Sequence, residues 1–261
     1  MNAPVPNDRF TLPEDISHHL VTVLRGQTGT KFEVVFSDHQ CYLVELTSTQ
    51  PPIMATIVKP LKRHPELPIH IAIACGIPKT KEKPELIVQK GTELGVHQII
   101  FFDSERSISH WQGKKLDRKL ARLQKIADSA AEQSHRNVQP QVSYCASLGE
   151  LLTKYPATKR LVAWEESAKQ GETSALVDTL RQLRAGQSVL AIFGPEGGLT
   201  STEVTAMVNQ GVVAAGLGPR ILRTETAPLY FLSAVSVLTE LISPDEKWVW
   251  YNYDHNNISK V

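Results

Sequence analysis

The sequence predicts an α/β protein in which a small β domain precedes a larger domain of alternating strands and helices. Three short β-rich segments lie between residues 32 and 61. After residue 68, apolar strand segments alternate with amphipathic helical segments, which is typical of a layered α/β fold. The length of 261 residues also exceeds that of one typical domain. We therefore expect a barrel-like β domain at residues 1–68, an α/β domain at 69–251 and a flexible tail at 252–261.

The elements of the first domain are predicted from local patterns. A short helix, DISHHLVTVLR, ends near Gly26 and Gly29. The strands that follow are KFEVVF, QCYLVEL and MATIVKPL. The segment KRHPELP, residues 62–68, contains two prolines and is typical of a linker.

The second domain is predicted as strands separated by helices. The strands are IHIAIACGI, HQIIFFD, RLVAWEE, SVLAIF and VVAAGL. The helices are PELIVQKGTELG, residues 114–135, TSALVDTLRQLR, a helix from TSTE to Gly211, and TAPLYFLSAVSVLTELI. Thr200 and Glu203 have the spacing of a capping box, so this helix begins directly after a glycine-rich loop.

Composition excludes several classes of protein. The chain has 28 basic and 27 acidic residues and a net charge of +1, so a polyanion would have to bind a local basic patch. No long apolar segment and no secretory signal are visible. Cys41, Cys75 and Cys145 are odd in number and far apart, which argues against a disulfide framework or a zinc site. We expect a cytoplasmic protein without a membrane segment or a metal.

The stretch AIFGPEGGL (191–199) is the first candidate site. A glycine-rich turn between a strand and a helix often binds phosphate, but no Lys-Ser or Lys-Thr pair follows these glycines, and Glu196 would repel a phosphate. The dinucleotide pattern GxGxxG is also absent. The loop therefore favours close backbone contact with a neutral or cationic ligand, and a tight turn with an exposed Glu196 is the alternative.

Two further loops follow predicted strands of the same domain. One is GLGPRILRTETAP (216–228), and the other begins at AWEES (163–167). Ligands of open α/β sheets bind beyond the carboxyl ends of the strands. We therefore expect the two glycine-containing loops to lie side by side and to share one ligand, with the third loop at the edge of the site.

These motifs resemble those of a known family. FGPEGGLT and GLGPRILRTETAP, with HHLVTVLRGQTGTKFEVV, VQKGTELGV and KIADSAAEQSHRNVQP in the same order, are similar to the RsmE family. Its members are SPOUT-class methyltransferases that methylate N3 of a uracil in small-subunit (16S) ribosomal RNA. The resemblance covers nearly the whole chain.

The resemblance implies a PUA-like RNA-binding β-barrel domain and a SPOUT α/β domain with a trefoil knot within about residues 160–245. It also implies a homodimer that acts on the 30S ribosomal subunit, and S-adenosylmethionine bound by three loops. The implied cofactor-binding residues are Glu165, Phe193, Gly194, Pro195, Glu196, Gly197, Gly198, Leu217, Gly218, Ile221, Leu222, Arg223, Thr226 and Ala227. At this point Glu196 has two interpretations, a ligand of the cofactor's amino group or a cap of a neighbouring loop.

The reaction that the resemblance implies suggests three catalytic candidates. Uracil N3 is a poor nucleophile until its proton is lost, so a base, or a cation that stabilises the anion, is needed. Arg223 is the first candidate, with Glu225 as its orienting partner or as the base. The alternative is a structural Arg–Glu pair. Arg136 is the second cation, and a structural role at a helix C-terminus is its alternative.

Basic residues predict where RNA binds. The long helix carries a basic stripe away from its leucine face, although such a stripe is often only a solvated surface. The RNA-binding candidates are Arg9, Arg25, Arg106, Arg118, Arg122 and Lys125.

Three other functions compete with uracil methylation. The first is a SPOUT methyltransferase of the ribose 2′-hydroxyl, which the full LGPRILRTETA motif argues against. The second is an RNA-binding assembly factor with a vestigial cofactor pocket, which the intact glycines argue against. The third is a metabolic nucleotide-binding enzyme, which lacks support because phosphate motifs are missing.

Overall fold

The computed structural model of the chain describes residues 3–6, 9–169, 171–172 and 174–242. These residues form two compact units, and the boundary between them falls between Pro65 and Glu66. The tail predicted at 252–261 lies outside the described residues. Each unit is built around its own sheet, so the two are described separately.

The first unit contains a four-stranded antiparallel sheet in the order β1–β4–β3–β2. Its strands are β1 (Arg9–Thr11), β2 (Lys31–Val35), β3 (Cys41–Ser48) and β4 (Met54–Leu61). A short helix, α1 (Glu14–His18), continues as a π-helical turn over His19–Val23. The core of the unit is formed by Leu12, Leu20, Val34, Phe36, Val44, Leu46 and Ala55. The predicted small β domain is confirmed, and β1 is an additional strand.

The second unit contains a six-stranded parallel sheet in the order β10–β8–β9–β5–β6–β7. Its strands are β5 (His70–Gly76), β6 (Gln98–Phe102), β7 (Gln141–Cys145), β8 (Lys159–Ala163), β9 (Ser188–Phe193) and β10 (Val213–Ala215). The predicted α/β class is therefore confirmed. Strand β7 was not predicted, because QVSYC is short and half polar.

Helices follow the strands of the second unit. They are α2 (Glu82–Glu93), α3 (Gly113–Gln133), α4 (Leu148–Lys154), α5 (Glu165–Lys169), α6 (Ala175–Arg181), α7 (Ser201–Val208) and α8 (Thr226–Ser236), the last continued by a π-helical turn over Val237–Leu241. Helix α3 buries Leu123, Ala127 and Ala130 at helical spacing, as its sequence pattern predicts. Helices α4 and α5 were not predicted.

Apolar side chains cover both faces of the parallel sheet, as expected for strands joined by helical crossovers. Along β5, Ile71, Ile73 and Cys75 join one core cluster, which also includes residues of α2, α3 and α8. Ala74, which points to the opposite face, joins a second cluster with residues of α4 and α7. The core fixes the register of the sheet and so places the loops that follow its strands.

The order of the strands does not place the two glycine-containing loops after neighbouring strands, although these loops were expected to lie side by side. Strands β9 and β10 are not neighbours, because β8 lies between them. Ala163 of β8 pairs with Ala215 of β10, and the Trp164 amide donates to the Ala215 carbonyl at 3.1 Å. The loop that begins at Trp164 therefore follows the strand between those that lead into the two glycine-containing loops.

Among the described residues, no helix has the length and apolar character needed to cross a bilayer. The three cysteines are buried and free, in agreement with the expectation that they form no disulfide framework. Burial raises the pKa of the Cys145 thiol to about 11, and Glu150 adds to this shift. Such a thiol is protonated and unreactive at neutral pH.

Candidate functional site

The loop after β9, residues 194–199, is termed the glycine loop, and it packs directly on the end of β5. A β-carbon at Gly76 would lie 2.5 Å from Pro195 Cδ and 2.6 Å from Pro195 N. The loop closes through a hydrogen bond from the Gly198 amide to the Pro195 carbonyl at 2.8 Å, and Gly198 has a φ of +69°. A β-carbon at Gly198 would meet no atom within 4 Å. The glycines therefore serve two needs, tight packing at Gly76 and a left-handed turn with open space at Gly198.

The predicted capping box joins the glycine loop to α7. The Glu203 amide donates to Thr200 Oγ1 at 3.1 Å, and the Thr200 amide donates to Glu203 Oε2 at 2.8 Å. The other carboxylate oxygen of Glu203 accepts the Glu105 amide at 3.0 Å. Glu203 is buried, so one carboxylate both caps α7 and holds the segment that follows β6.

Arg106, in the segment after β6, contacts the glycine loop. Its Nη1 donates to the Gly197 carbonyl at 3.1 Å, and a β-carbon at Gly197 would lie 3.1 Å from Arg106 Cβ. Gly197 therefore packs closely against Arg106, and a side chain at residue 197 would need Arg106 to shift. Arg106 was predicted to bind RNA, and the structure adds this contact with the glycine loop.

Glu196 caps a neighbouring loop. Its Oε1 and Oε2 accept the Lys79 amide at 3.2 and 3.1 Å, and Oε1 accepts Lys83 Nζ at 2.8 Å. Lys83 Nζ also lies 3.2 Å from Glu225 Oε2. One ammonium thus lies between a carboxylate of the glycine loop and a carboxylate at the end of residues 216–225, here termed the arginine loop. Of the two interpretations of Glu196, the geometry supports the cap.

The charges at this junction stabilise one another. Burial alone would raise the pKa of the Glu196 carboxyl, but the hydrogen bonds from Lys83 and from backbone amides outweigh burial and lower that pKa. The hydrogen bond to Glu196 raises the pKa of the Lys83 ammonium, burial opposes this shift, and Glu225 adds to it. Glu196 and Lys83 are therefore charged at neutral pH.

The arginine loop is anchored at its start by Glu172. Glu172 Oε2 accepts the Gly216 amide at 2.7 Å, while Oε1 accepts the amides of Ser174 and Ala175 at 2.7 and 2.6 Å. Burial would raise the pKa of Glu172, but these backbone hydrogen bonds lower it. Further along the loop, Gly218 has a φ of +91°, and a β-carbon there would meet nothing nearer than the Tyr230 hydroxyl at 4.0 Å. Glu172 was missed because nothing in its local sequence marks it as a ligand of Gly216.

Arg223 is exposed, and its backbone begins α8. The Arg223 carbonyl accepts the amides of Thr226 and Ala227 at 2.9 and 3.0 Å. Within the described part of the chain, its guanidinium makes no ion pair or hydrogen bond. The expected pairing of Arg223 with Glu225 is wrong, because Glu225 lies against Lys83. The guanidinium is therefore available to a ligand, whereas Glu225 is held by a lysine that the sequence analysis did not identify.

The other predicted cofactor-binding residues fall into two groups, those that pack in the core and those that are exposed or half-buried. Phe193 is buried and stacks edge to face on Phe231 at 5.9 Å, so its side chain belongs to the core and only its backbone can reach a ligand. Leu217 and Ala227 pack against the same core from the arginine loop and α8. In contrast, Ile221 is 79% exposed. The residues at accessible or half-buried positions include Glu165, Gly194, Leu222 and Thr226.

Arg136 has a structural role. It is buried, and its Nη1 donates to the carbonyls of Thr92 and Val96 at 3.1 and 2.5 Å. Its Nε and Nη2 donate to Glu66, at 3.2 Å for Nε, and Glu66 also accepts the Asn137 amide at 2.9 Å. With all its donor nitrogens engaged, Arg136 cannot reach a substrate. The catalytic prediction for this residue is wrong, and its alternative, an arginine at a helix C-terminus, fits the geometry.

The basic stripe of α3 borders a groove of about 680 Å³ against α2. Arg118, Arg122 and Lys125 line it. Arg122 is already engaged, since its Nε and Nη2 donate to the two carboxylate oxygens of Glu85 at 2.9 and 3.1 Å. In the first unit, Arg9 lies in β1, and Arg25 is exposed with a φ of +56°.

Metal chemistry has no candidate site in the described ranges, where no three His, Cys, Asp or Glu residues form a group that could hold a metal ion. The polar groups at this edge of the sheet are instead glycine backbone, carboxylates, the bridging Lys83 and exposed arginines that include Arg106, Arg220 and Arg223. This arrangement has open space beside the left-handed glycines Gly198 and Gly218, and the partly buried ammonium of Lys83 lies against two carboxylates.

Comparison with known proteins connects this geometry to a family. Residues 65–236 match the model of an RNA methyltransferase domain. The chain is 44% identical over 239 residues to the ribosomal RNA small subunit methyltransferase E of Bacillus subtilis, covering 91% of this chain and 93% of that protein. The chain belongs to the ribosomal RNA small subunit methyltransferase E family. This membership confirms the resemblance seen in the two loop motifs.

Other members of the methyltransferase E family agree in sequence and in fold. The Mycobacterium bovis protein of the same name is 30% identical over 227 residues, covering 86% of this chain and 85% of that protein. The crystal structure of the Neisseria gonorrhoeae methyltransferase E, bound to S-adenosyl methionine, superposes with a TM-score of 0.76 at 30% identity, covering 91% of this chain and 95% of that one. The likeness extends over both sheets rather than over the α/β part alone.

Proposed function

We propose that this protein transfers a methyl group from S-adenosylmethionine to N3 of a specific uridine in 16S ribosomal RNA of the small subunit. Membership of the methyltransferase E family, with a relative whose structure holds S-adenosyl methionine, supports this proposal. The observation that carries it is the junction of the glycine and arginine loops through Lys83, with the exposed Arg223 in the arginine loop. Because the proposed substrate is ribosomal RNA, we expect the enzyme in the cytoplasm.

The two loops fit S-adenosylmethionine by their chemistry. The cofactor has no phosphate, and the loops offer backbone and open space at Gly198 and Gly218. Lys83 is paired with Glu196 and Glu225, so it adds no uncompensated positive charge that would repel a positively charged ligand. The residues proposed to hold it are those at 193–198 of β9 and the glycine loop, those at 217–218, 221–223 and 226–227, and Glu165 from the loop after β8.

The bound cofactor supplies an electrophilic methyl group on a positively charged sulfur. Uracil N3 must first lose its proton to water, which leaves negative charge on N3 and on the neighbouring oxygens. Arg223 stabilises this charge, since its guanidinium is always protonated and offers a planar set of donors. Arg223 also orients the base, because the loop that carries it is anchored at Gly216 by Glu172 and at Glu225 by Lys83.

RNA is proposed to bind through both units. Arg118 and Lys125 supply phosphate contacts beside the α2–α3 groove, and the first unit supplies Arg9 and Arg25 as a PUA-like domain. Such contacts position the RNA without reading its sequence. The target base must be unstacked to reach the loops, as enzymes that modify bases generally require. The trefoil knot within about 160–245 remains part of this proposal.

A homodimer is also proposed, built on α8 and α2. Phe231 is buried in the core and so does not line this surface. The exposed apolar side chains of these two helices are Leu86, Tyr230, Val237 and Leu241. Helices α2 and α8 pack together, and we propose that a second copy of the chain covers their exposed apolar residues.

The product nucleoside tests the function. Small subunits that lack the modification are incubated with the enzyme and S-adenosylmethionine, and the RNA is digested to nucleosides for mass spectrometry. We expect N3-methyluridine. A 2′-O-methylated nucleoside would support the competing ribose methyltransferase instead, and cofactor binding without any methylated product would support an assembly factor.

A further inference from the structure

Lys83 connects the two loops of the proposed site. It lies in the first turn of α2, and its side chain is 19% exposed. Its Nζ donates to Glu196 Oε1 at 2.8 Å and lies 3.2 Å from Glu225 Oε2. Without this ammonium, two carboxylates would lie close together at a partly buried position, where like charges repel strongly. Lys83 therefore determines whether the loops can keep their observed separation.

The two carboxylates depend on Lys83 to different degrees. Glu196 also accepts the Lys79 amide through both oxygens, so it keeps a partner if Lys83 is lost. Glu225 Oε2 is buried and accepts no hydrogen bond of good geometry from the described residues. In the same part of the chain, Lys83 is the only cation within ion-pair distance of Glu225. Loss of Lys83 would thus leave a buried carboxylate oxygen uncompensated, which is a costly state.

Glu225 is linked to Arg223, the residue proposed to stabilise the substrate anion, by its position in the chain. It is the N-terminal flanking residue of α8, and it lies two positions after Arg223. The Arg223 carbonyl accepts the amides of Thr226 and Ala227, so these residues form one hydrogen-bonded turn. A displacement of Glu225 would be transmitted to Arg223 through this turn.

We propose that Lys83 is a positioning residue for methyl transfer, whose ammonium holds Glu225 and thereby sets the position of Arg223 relative to the glycine loop. The predicted loss of methyl-transfer rate rests on the proposed function. The predicted loosening of the arginine loop does not. We predict that loss of Lys83 acts mainly on the arginine loop, while the glycine loop keeps its cap at Lys79.

Lys83→Met removes the ammonium and keeps most of the aliphatic side chain. Lys79→Met is the matched control, because it removes a lysine that also contacts Glu196, but the contact is made by the backbone amide. At saturating cofactor and RNA, we expect Lys83→Met to lower the single-turnover rate about tenfold to hundredfold, the scale of losing one interaction with a charged group. We expect Lys79→Met to react at the wild-type rate, and Lys83→Arg to recover most of the rate.

A double-mutant cycle separates positioning from general destabilisation. In a Glu225→Gln background the interaction is already lost, so Lys83→Met should cost little further rate. A rate for Lys83→Met equal to that of the wild type would overturn the proposal. Equal costs of Lys83→Met in the wild-type and Glu225→Gln backgrounds would also overturn it, because Lys83 would then act independently of Glu225.

Hydrogen exchange in the full-length protein without RNA tests the structural part independently of activity. Lys83→Met should speed exchange of the amides of Thr226 and Ala227, and leave that of the Gly198 amide near the wild-type rate. Unchanged exchange at Thr226 and Ala227 would contradict the role of Lys83. Faster exchange at Thr226 and Ala227 in a protein whose wild-type form yields no methylated uridine would uphold Lys83 as the anchor of the arginine loop and refute the proposed function.

Discussion

Gly76 and Pro195 are in such close contact that a β-carbon at residue 76 would lie 2.5 Å from Pro195 Cδ. Gly76 ends β5, and Pro195 begins the turn of the glycine loop, so the loop is set directly on the sheet. A ligand-binding loop is thereby positioned by the rigid core rather than by flexible neighbours.

Gly76→Ala should therefore displace the glycine loop. We expect a loss of stability of about 1–3 kcal/mol, the usual cost of overpacking, together with weaker binding of S-adenosylmethionine. Gly149→Ala is the control, since its β-carbon would meet only Ser147 Oγ, at 3.9 Å, in a short helix. Calorimetric titration and thermal melting of both variants check this. Wild-type cofactor affinity in Gly76→Ala would show that the loop does not form the site.

Gly218→Val should abolish cofactor binding. The residue has a φ of +91° beside open space, so a β-branched side chain would both strain the backbone and fill the space proposed for the ligand. Gly186→Val is a matched control, because Gly186 also has a positive φ, +79°, and open space. Both variants should lose stability, but only Gly218→Val should lose affinity. An equal effect on affinity in the two variants would refute the assignment of Gly218 to the site.

Arg223→Ala should lower kcat by a factor of about 10² or more, the scale typical of losing one group that stabilises the transition state. The affinity for S-adenosylmethionine should change much less. Arg220→Ala, in the same loop and also exposed, is the control and should retain kcat. Single-turnover measurements with saturating RNA distinguish the roles. A normal rate at saturation with weakened RNA affinity would make Arg223 a binding residue only.

Tyr230→Lys combined with Leu241→Lys should convert a dimer to monomers. The two side chains are 40% and 65% exposed, and lysines there would place charges within an apolar interface. Val208→Lys, at a position on α7 that is 46% exposed, is the control and should remain dimeric. Sedimentation velocity measures the outcome. A wild-type protein that sediments as a monomer, or a double variant that remains a dimer, would contradict the proposed interface.

Local patterns in the sequence were sufficient for the fold class and for the loops at its carboxyl edge. The glycine loop and its capping box were predicted because Thr200 and Glu203 lie three residues apart and satisfy each other. Strand β1 was missed because three residues carry no recognisable alternation, and it exists because it pairs with β4. Pattern along the chain also does not determine order across a sheet, so the position of β8 between β9 and β10 was not foreseen.

Charge pairs distant in sequence were the main source of error at the site. Glu225 was assigned to Arg223 because the two are neighbours in the chain, but the fold brings Lys83 to it from α2. Arg136 was offered to the substrate because it follows the long helix, but tertiary packing buries it against Glu66 and two backbone carbonyls. The two arginines proposed as catalytic differ in solvent exposure, since Arg223 is exposed and Arg136 is buried.

The most direct measurement is methyl transfer with a deuterated methyl group on S-adenosylmethionine. Small subunits from a strain that lacks this enzyme are treated with the wild-type protein or with Arg223→Ala, and the labelled nucleotide is mapped by mass spectrometry of RNA fragments. The account predicts one labelled uridine per 16S RNA, with the label on the base at N3, and a much slower appearance of that label with Arg223→Ala. Label on a ribose, label on another base, or no label with the wild-type enzyme would contradict it.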